Sequence, residues 1–579
     1  MTTRQLDDYR SADTPLPTPN LGWNTYGVGV ESMGTPEGPE PIDVPPVGPD
    51  QLLVRVDAVG LCYSDVKLIR QGGAHPKLYG RDLMTEPTRL GHEATVTVIE
   101  VGEHLADAYR PGQRLAIQPD IYVDGRSTAY GYTIPGGLVQ YHLLGPEVLD
   151  ADDGAYVIPV DDSIGYAAAA LSEPWACVEA AYTQRRRLDP LPGGTMWIIG
   201  RSDDLTDYRF TTGLEAPSRI VLTNVPPQVE RLVESGKNPD CAVVVRNGLD
   251  DLDAIDGELA GGEGFDDIVV LDMTSADLVE RVAPHIAFRG TMNLVAREPL
   301  DRNPQIDVGR IHYHYTAYVG TNTDDIAAAY GEEHNRAELK PGGVALYVGA
   351  AGPMGQMHIQ RALELNDGPS VIIASDLDDA RLSVVHDRLL PMAERLGRVM
   401  VIVNPADDPG SLDRALDQYT NGRGADDVIV TVPVPAVMGG AASHMAPDGM
   451  LNLFAGVPNG SMAPLDLSQV YLANAQFTGT SGSRVVDQET VLAKAVALEL
   501  SPQRSLAAVG GIDAARDGVQ AMLDGKFAGK IMIFPQLRDL PLMGLRELGE
   551  AYPEIGGHLE GGEIWTREAE KAFIEKFWR

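Results

Sequence analysis

Four side chains in this sequence have the makings of a metal centre. Cys62 stands in "GLCYSDVKLI", where an apolar run reads as a strand end breaking into a helix. His92 and Glu93 stand in "RLGHEATVTVIEVG", just ahead of an alternating apolar strand. Glu173 lies at the start of an alanine-rich helix in "AAAALSEPWACVEAAY". Thiolate, imidazole and carboxylate are all zinc donors, and a catalytic zinc keeps three protein ligands and one open position. The spacing is wide, so the fold must assemble such a site. On residue types alone, a cysteine buried in a core is the competing reading of Cys62.

A second chemistry is written in "KPGGVALYVGAAGPMGQMHIQRALEL", an apolar strand, a glycine turn and a helix. Gly349, Gly352 and Gly355 form the turn, with Pro353 and Met354 at the helix start. Glycines let backbone approach a pyrophosphate at a helix N-terminus, where N–H groups point at the anion. The next strand, "SVIIASD", ends in Asp376, placed to bind a ribose diol, with Arg381 shortly beyond. A carboxylate there repels a 2′-phosphate, so NAD is expected over NADP.

The segments "GLCYSD", "GHE" and "SEP", with "YRPGQRL" and "GGLVQYHLL" between them in that order, resemble the zinc-dependent medium-chain alcohol and polyol dehydrogenases. The resemblance runs over most of the chain. It implies one catalytic zinc on Cys62 and His92, with Glu173 third, directly or through water, and Glu93 a second carboxylate close to the metal. It implies that Ser64 hands off the substrate's hydroxyl proton and that Asp65 orients a ligand such as His92. Tyr63 stands where the family usually has glycine, and Lys67 where many members place a relay histidine. A lysine relays protons only if desolvated or near other cations. The segment "DIYVDGRSTAYGYTIPGG", where many relatives carry a four-cysteine zinc lobe, has no cysteine, so a second zinc is not expected.

The elements that must position these groups fit an α/β chain of several domains. With 579 residues it exceeds what one core serves. The resemblance implies that residues 1–190 are the first part of a GroES-like, β-rich catalytic domain, to which residues 481–579 return. Between them lie two tandem Rossmann-like units with parallel sheets, residues 191–325 and 326–480. They form an internal repeat: Asp266 and Asp426, Asn293 and Asn452, and Gly320 and Gly479 match at offsets of about 160 positions. The first copy is degenerate. Its turn, "GRSDDLTDY", keeps only Gly200, its second strand ends in Asn224, and its aspartates repel a pyrophosphate. The second copy is therefore expected to bind NAD. In the tail, "AGKIMIFPQL" reads as a closing strand, and Thr566 as the N-cap of a last helix with Glu568 and Glu570 in its first turns.

Composition narrows the partners. With 83 acidic against 46 basic residues and a net charge of −37, neither nucleic acid nor an anionic membrane is expected. No apolar stretch reaches the roughly 18 residues of a membrane span. The N-terminus lacks the apolar core of a signal peptide, and three cysteines argue against a disulfide framework, so a reducing, cytoplasmic setting is expected. The segments "GTNTDD" and "AVGGIDAARDGV" resemble the branch typified by L-sorbose 1-phosphate reductases, which implies a polyol, sugar or sugar-phosphate substrate. Lys67, His75, Lys77, Arg81 and Arg89 are the cations available for a phosphate. A homo-oligomer, dimer or tetramer, is expected. The alternatives are a threonine-type amino-alcohol dehydrogenase and a non-catalytic NAD-binding regulator or scaffold.

Overall fold

The computed structural model describes residues 3–578 apart from 14 and 273. Its contacts divide it into two compact units, residues 1–180 with 482–579, and residues 181–481.

The first unit is built on a mixed sheet. Its order runs Val157–Pro159, Arg114–Ile117, Glu93–Val101, Leu52–Leu61, Lys530–Phe534, Leu506–Gly511, Met543–Gly544, with Tyr141–Leu144 also on Leu52–Leu61. The central strand, "LLVRVDAVGL", is buried on both faces along its whole length. That explains why it is almost wholly apolar rather than alternating. Its one ion pair, Arg55 with Asp57 at 2.8 Å, is fully internal, and Thr97 completes it at 2.6 Å from Asp57. The tail strand Lys530–Phe534 pairs antiparallel with this central strand, Ile531 opposite Leu61. The last helix, Arg567–Phe577, starts at Thr566, whose hydroxyl accepts from Ala569 N at 3.0 Å. Glu570 does more than face that helix's first turn. It is buried and accepts from Tyr166 N and Ala167 N at 2.6 and 2.8 Å, holding the start of a neighbouring helix.

The second unit contains two parallel sheets of the same topology. The first runs Ala242–Arg246, Arg219–Thr223, Thr195–Ile199, Phe265–Leu271, Ile286–Val295, Ala317–Thr321. The second runs Val399–Val403, Val371–Ser375, Val344–Val348, Ala425–Val430, Met445–Leu453, Gln476–Thr478. In chain order both read 3-2-1-4-5-6, the doubly wound order of dinucleotide-binding domains. The repeat extends to details. Both fourth strands shift register at the matched aspartates, between Phe265 and Asp267 and between Ala425 and Asp427. Left-handed residues recur at matched positions, Arg289 with Asp448 and Tyr315 with Asn474.

The copies part company after their first strand. In the second, Val348 leads through the glycine turn into the helix Pro353–Glu364. In the first, no helix separates Thr195–Ile199 from Arg219–Thr223 among the described residues. Residues 200–218 are irregular, and Tyr208, Phe210 and Leu214 cover the sheet face that a helix would cover. The segment "GRSDDLTDYRFTTGLEAPS" lacks a helical apolar period and is rich in Gly, Asp and Thr, which favour turns over helix. The degeneracy read from the missing glycines thus extends to the whole phosphate-binding helix.

Candidate functional site

Cys62 is the first residue beyond the buried central strand and the N-cap of the helix Tyr63–Gln71. Three residues on, Asp65 closes the capping box: its Oδ2 accepts from Cys62 N at 2.9 Å. Asp65 is itself 1% exposed, and its other oxygen faces His92 Nδ1 at 3.3 Å. One carboxylate therefore binds the cysteine's backbone and stands beside the imidazole. With Asp65 at Nδ1, Nε2 is left for the site. Burial works against a charge on His92, but Asp65 and Cys62 outweigh it and raise its pKa above the usual imidazole range.

Glu93 comes from the strand beside the central one, opposite Gly60 in the ladder. A Cβ at position 60 would sit 2.1 Å from Glu93 Oε2, so this glycine makes the room in which the carboxylate lies. Across the sheet, Lys530 Nζ donates to Glu93 Oε1, and both side chains are buried. Burial lowers the lysine's pKa, yet Glu93 and Cys62 together leave it above the ordinary value. Glu93 Oε2 is buried with no hydrogen-bond partner.

The donor atoms of Cys62, His92 and Glu93 lie within 4.8 Å of one another. A sulfur, an imidazole nitrogen and a carboxylate oxygen converging at a site where His92 and Glu93 are buried and Cys62 is half-buried fit a zinc ion. Glu173, expected as the third ligand, lies outside that trio, and Glu93, expected beside the metal, lies within it. Glu173 is nonetheless close. It is buried, with Cys177 Sγ at 4.0 Å, and burial, opposed by His92 and reinforced by Glu93, raises its pKa to about 7. Ser64 is half-buried, its Oγ 3.6 Å from Cys62 Sγ. Lys67 is exposed, so desolvation, one of the two conditions for a lysine relay, is not met.

The other cations of this region are largely committed. Lys77 pairs with Asp120 at 2.8 Å, and Arg81 lies 3.3 Å from Glu86 and donates to Thr133 O. Arg89 is buried and donates to Gly136 O at 3.0 Å. Burial, with Lys77 and Lys67 nearby, lowers His75 to about 4, which keeps it neutral. Lys67 and Lys77 thus act on His75, while Lys77, Arg81 and Arg89 are engaged by other groups. Lys530, Gly60 and Tyr132, whose ring lies 5.9 Å from that of His92, went unnoticed in the sequence. A lone lysine opening the apolar strand "KIMIF" was the signal available for the first.

Lys530→Met tests the ion pair. It leaves Glu93 buried without a counter-charge, so the metal-free protein should lose about 3–5 kcal/mol. Added zinc should restore much of it, which thermal melts with and without Zn2+ will read. An unchanged metal-free melting temperature would mean that Lys530 does not hold Glu93.

In the second copy the glycine turn gives each glycine a distinct reason. Gly349 has φ +83, a left-handed conformation. A Cβ on Gly355 would lie 2.3 Å from Gly349 O, so the helix packs on the turn only without one. A Cβ on Gly352 would meet only Gly349 O at 3.7 Å, an ordinary contact. Internal packing does not demand glycine there, which leaves the position open to close approach by a ligand. Gly352 caps the helix, Pro353 has no N–H, and the first-turn amides of Met354 and Gly355 lack helical acceptors. Asp376 is tied to this turn: its Oδ2 accepts from Ala351 N at 3.0 Å, and its Oδ1 from Leu377 N at 2.7 Å. Arg381, in the following helix, lies 3.6 Å from Asp378, which caps that helix. These features fit a nicotinamide dinucleotide. In the first copy, Arg201 pairs with Asp203 and Asp272, and Asp204 accepts from Tyr208 at 2.7 Å, so the turn is satisfied within itself.

Residues 48–149 match the alcohol dehydrogenase GroES-like domain family. The uncharacterized protein YggP of Escherichia coli is 30% identical over 334 residues, which cover 53% of this chain and 76% of that protein. The mannitol-1-phosphate 5-dehydrogenase of Aliivibrio fischeri is 24% identical over 546 residues, 92% of this chain and 93% of its own, an alignment too long to omit either repeat. The L-sorbose 1-phosphate reductase of Klebsiella pneumoniae is 28% identical over 312 residues, 50% of this chain and 74% of its own. No helix among the described residues is long and apolar enough to cross a membrane.

Proposed function

The chain belongs to the medium-chain family of alcohol and polyol dehydrogenases, and on that premise we propose that it interconverts a secondary alcohol and a ketone on a polyol, sugar or sugar phosphate, with zinc and NAD. The observation that carries the reading is the trio Cys62, His92 and Glu93, with donor atoms within 4.8 Å and one carboxylate, Asp65, holding two of its members. A scaffold has no use for such a buried donor set. The names of the Aliivibrio and Klebsiella relatives favour a phosphorylated polyol or its ketose.

In this reading Cys62, His92 and Glu93 would hold the metal, with Glu173 beside them. When bound, zinc supplies a Lewis acid that lowers the pKa of the alcohol oxygen. Asp65 keeps the imidazole turned with Nε2 toward the site. Ser64, half-buried beside Cys62, takes the hydroxyl proton and passes it outward. The amides at Met354 and Gly355 take the pyrophosphate, and Gly352 lets it approach. Asp376, fixed by Ala351 N, takes the ribose diol and disfavours a 2′-phosphate. The balanced reaction converts the carbinol and NAD+ to ketone, NADH and a proton.

The test is a screen of polyols and their phosphates with NAD and NADP, before and after chelation. Turnover with at least one member, faster with NAD and lost on chelation, is expected. Activity that survives complete metal removal would overturn the zinc reading, and faster turnover with NADP at equal concentration would overturn the role of Asp376.

A further inference from the structure

We infer that the first repeat is a built-in partner for the second: one chain supplies both halves of a pseudo-two-fold pair, and the paired face of the nucleotide-binding repeat is covered without a second copy of this chain. The symmetry is visible residue by residue. Outside the two sheets, Gln305–Asp307 and Met462–Pro464 form an antiparallel ladder in which Gln305 lies opposite Pro464, its own counterpart in the repeat. On either side the pairing mirrors itself. Ile306 faces Ala463, and Leu465 N donates to Pro304 O at 3.1 Å. A strand that pairs with its own repeat image lies on a two-fold axis.

The contacts around this axis are reciprocal, which is the mark of an isologous interface. A Cβ on Gly320 would lie 2.8 Å from Tyr471 Cβ, and one on Gly479 would lie 3.0 Å from the Cα of His312, the counterpart of Tyr471. Gly309 packs against Pro458 and Asn459, while Ser468, its counterpart, accepts from Leu300 N at 3.0 Å, and Leu300 is the counterpart of Asn459. Glycine stands at both matched positions because each repeat's helix reaches the other's sixth strand. Those strands, Ala317–Thr321 and Gln476–Thr478, end their sheets. A repeat alone would leave an open sheet edge and an apolar face, Ile306, Val308 and Ile311 in one copy and Leu465, Leu467 and Val470 in the other, all of them buried here.

The segments leading into the two repeats are exchanged as well. Residues 181–182, which precede the first copy, pack on the second: Asn452 Nδ2 donates to Ala181 O at 3.1 Å, and Tyr182 lies 2.7 Å from His358 Nδ1. The similar segment before the second copy packs on the first, where Asn293 Nδ2 donates to Ile326 O at 3.0 Å and Tyr330 joins the core of Met196 and Ile198. The matched asparagines thus hold opposite lead-ins. The two segments meet where Arg186 Nη2 donates to Arg336 O at 3.2 Å, and Arg187 and Arg336 each bind their own repeat at Asp267 and Asp427. The homo-oligomer expected from the sequence is not needed to complete this pair.

The same ladder could instead join two chains, each lending a repeat to the other, and the experiment separates the two. Gln305 and Pro464 are both exposed and directly opposed. The double variant Gln305→Cys, Pro464→Cys is oxidised and run on a denaturing gel, with each single variant as control for the native thiols. We expect a disulfide between positions 305 and 464 by peptide mapping, in a species of single-chain mass. A covalent dimer joined by that linkage would overturn the proposal. So would two thiols that remain open to alkylation in the folded protein, because the strands would then not be paired. Asp307→Cys with Met462→Cys, on the same ladder, reads the same outcome should the first pair fail to fold.

Discussion

Cys62→Ser is expected to lose bound metal and turnover together while the fold and nucleotide binding survive. The serine hydroxyl is a poor substitute for a thiolate donor, so the trio falls to two ligands. It is, however, a good N-cap, so the start of the helix Tyr63–Gln71 at position 62 should survive the change. The substitution therefore separates metal chemistry from helix capping, where Cys62→Ala would confound them. Loss of a Lewis acid removes several kcal/mol of transition-state stabilisation, so kcat should fall on the order of 10³-fold or more. Metal analysis should give one zinc per unaltered chain and close to none in the variant, with circular dichroism and NADH fluorescence titration unchanged. A variant that keeps both metal and activity would remove Cys62 from the site. Two zincs per unaltered chain would point to a second centre.

The site was partly legible in the sequence, for reasons that differ by residue. Cys62 and His92 could be singled out because they sit beside strand ends inside distinctive short segments, and both fall in the trio whose donor atoms lie within 4.8 Å. The parts of the two carboxylates were not readable. Glu93 immediately follows His92 and Glu173 opens a helix, and the register opposite Gly60 is what brings Glu93 beside Cys62 and His92. Lys530 was invisible for the same reason, since it reaches Glu93 from a strand 437 positions away. The cations between positions 62 and 92 read as a cluster because they are close in sequence, but Asp120 and Gly136 O, which engage Lys77 and Arg89, lie outside that stretch, and Glu86 within it faces Arg81.

Of the fold, the internal repeat was legible because apolar strands and their bounding glycines recur at one offset. Its consequence was hidden. Chain order places the first copy directly after the helix that carries Glu173, while the glycines favour the second, and the two signals look contradictory. The lead-ins are exchanged, so the segment after that helix packs on the second copy at Asn452 and His358, although the first follows it in the chain. A trace existed, "EAAY" at residues 179–182 and "AAAY" at residues 327–330, but a run of alanines carries too little pattern to stand out. The missing crossover helix of the first copy was also present as composition, in a segment poor in helix formers.

Gly352→Trp and Gly200→Trp should divide the two copies. At position 352 an added Cβ meets only Gly349 O, at 3.7 Å, so the backbone itself tolerates a side chain there. It would instead fill the space at the helix start, where the first-turn amides face an anion. NADH affinity should fall by at least about 100-fold, the equivalent of about 2.7 kcal/mol, with little change in melting temperature. That combination is the informative one, because Gly355→Trp would destroy binding simply by forcing the helix off the turn. At position 200, a Cβ would meet Val225 Cα at 3.4 Å, and no helix follows to present amides to a phosphate. The aspartates at 203 and 204 are engaged with Arg201 and Tyr208, and a pyrophosphate would have to displace those partners against like charge. Gly200→Trp should therefore leave NADH affinity within about twofold, whatever it does to stability. Isothermal titration of the unaltered chain should show one nucleotide per chain. Equal loss of affinity in the two variants, or two nucleotides per chain, would restore the first copy as a binding site and remove the asymmetry on which the functional reading depends.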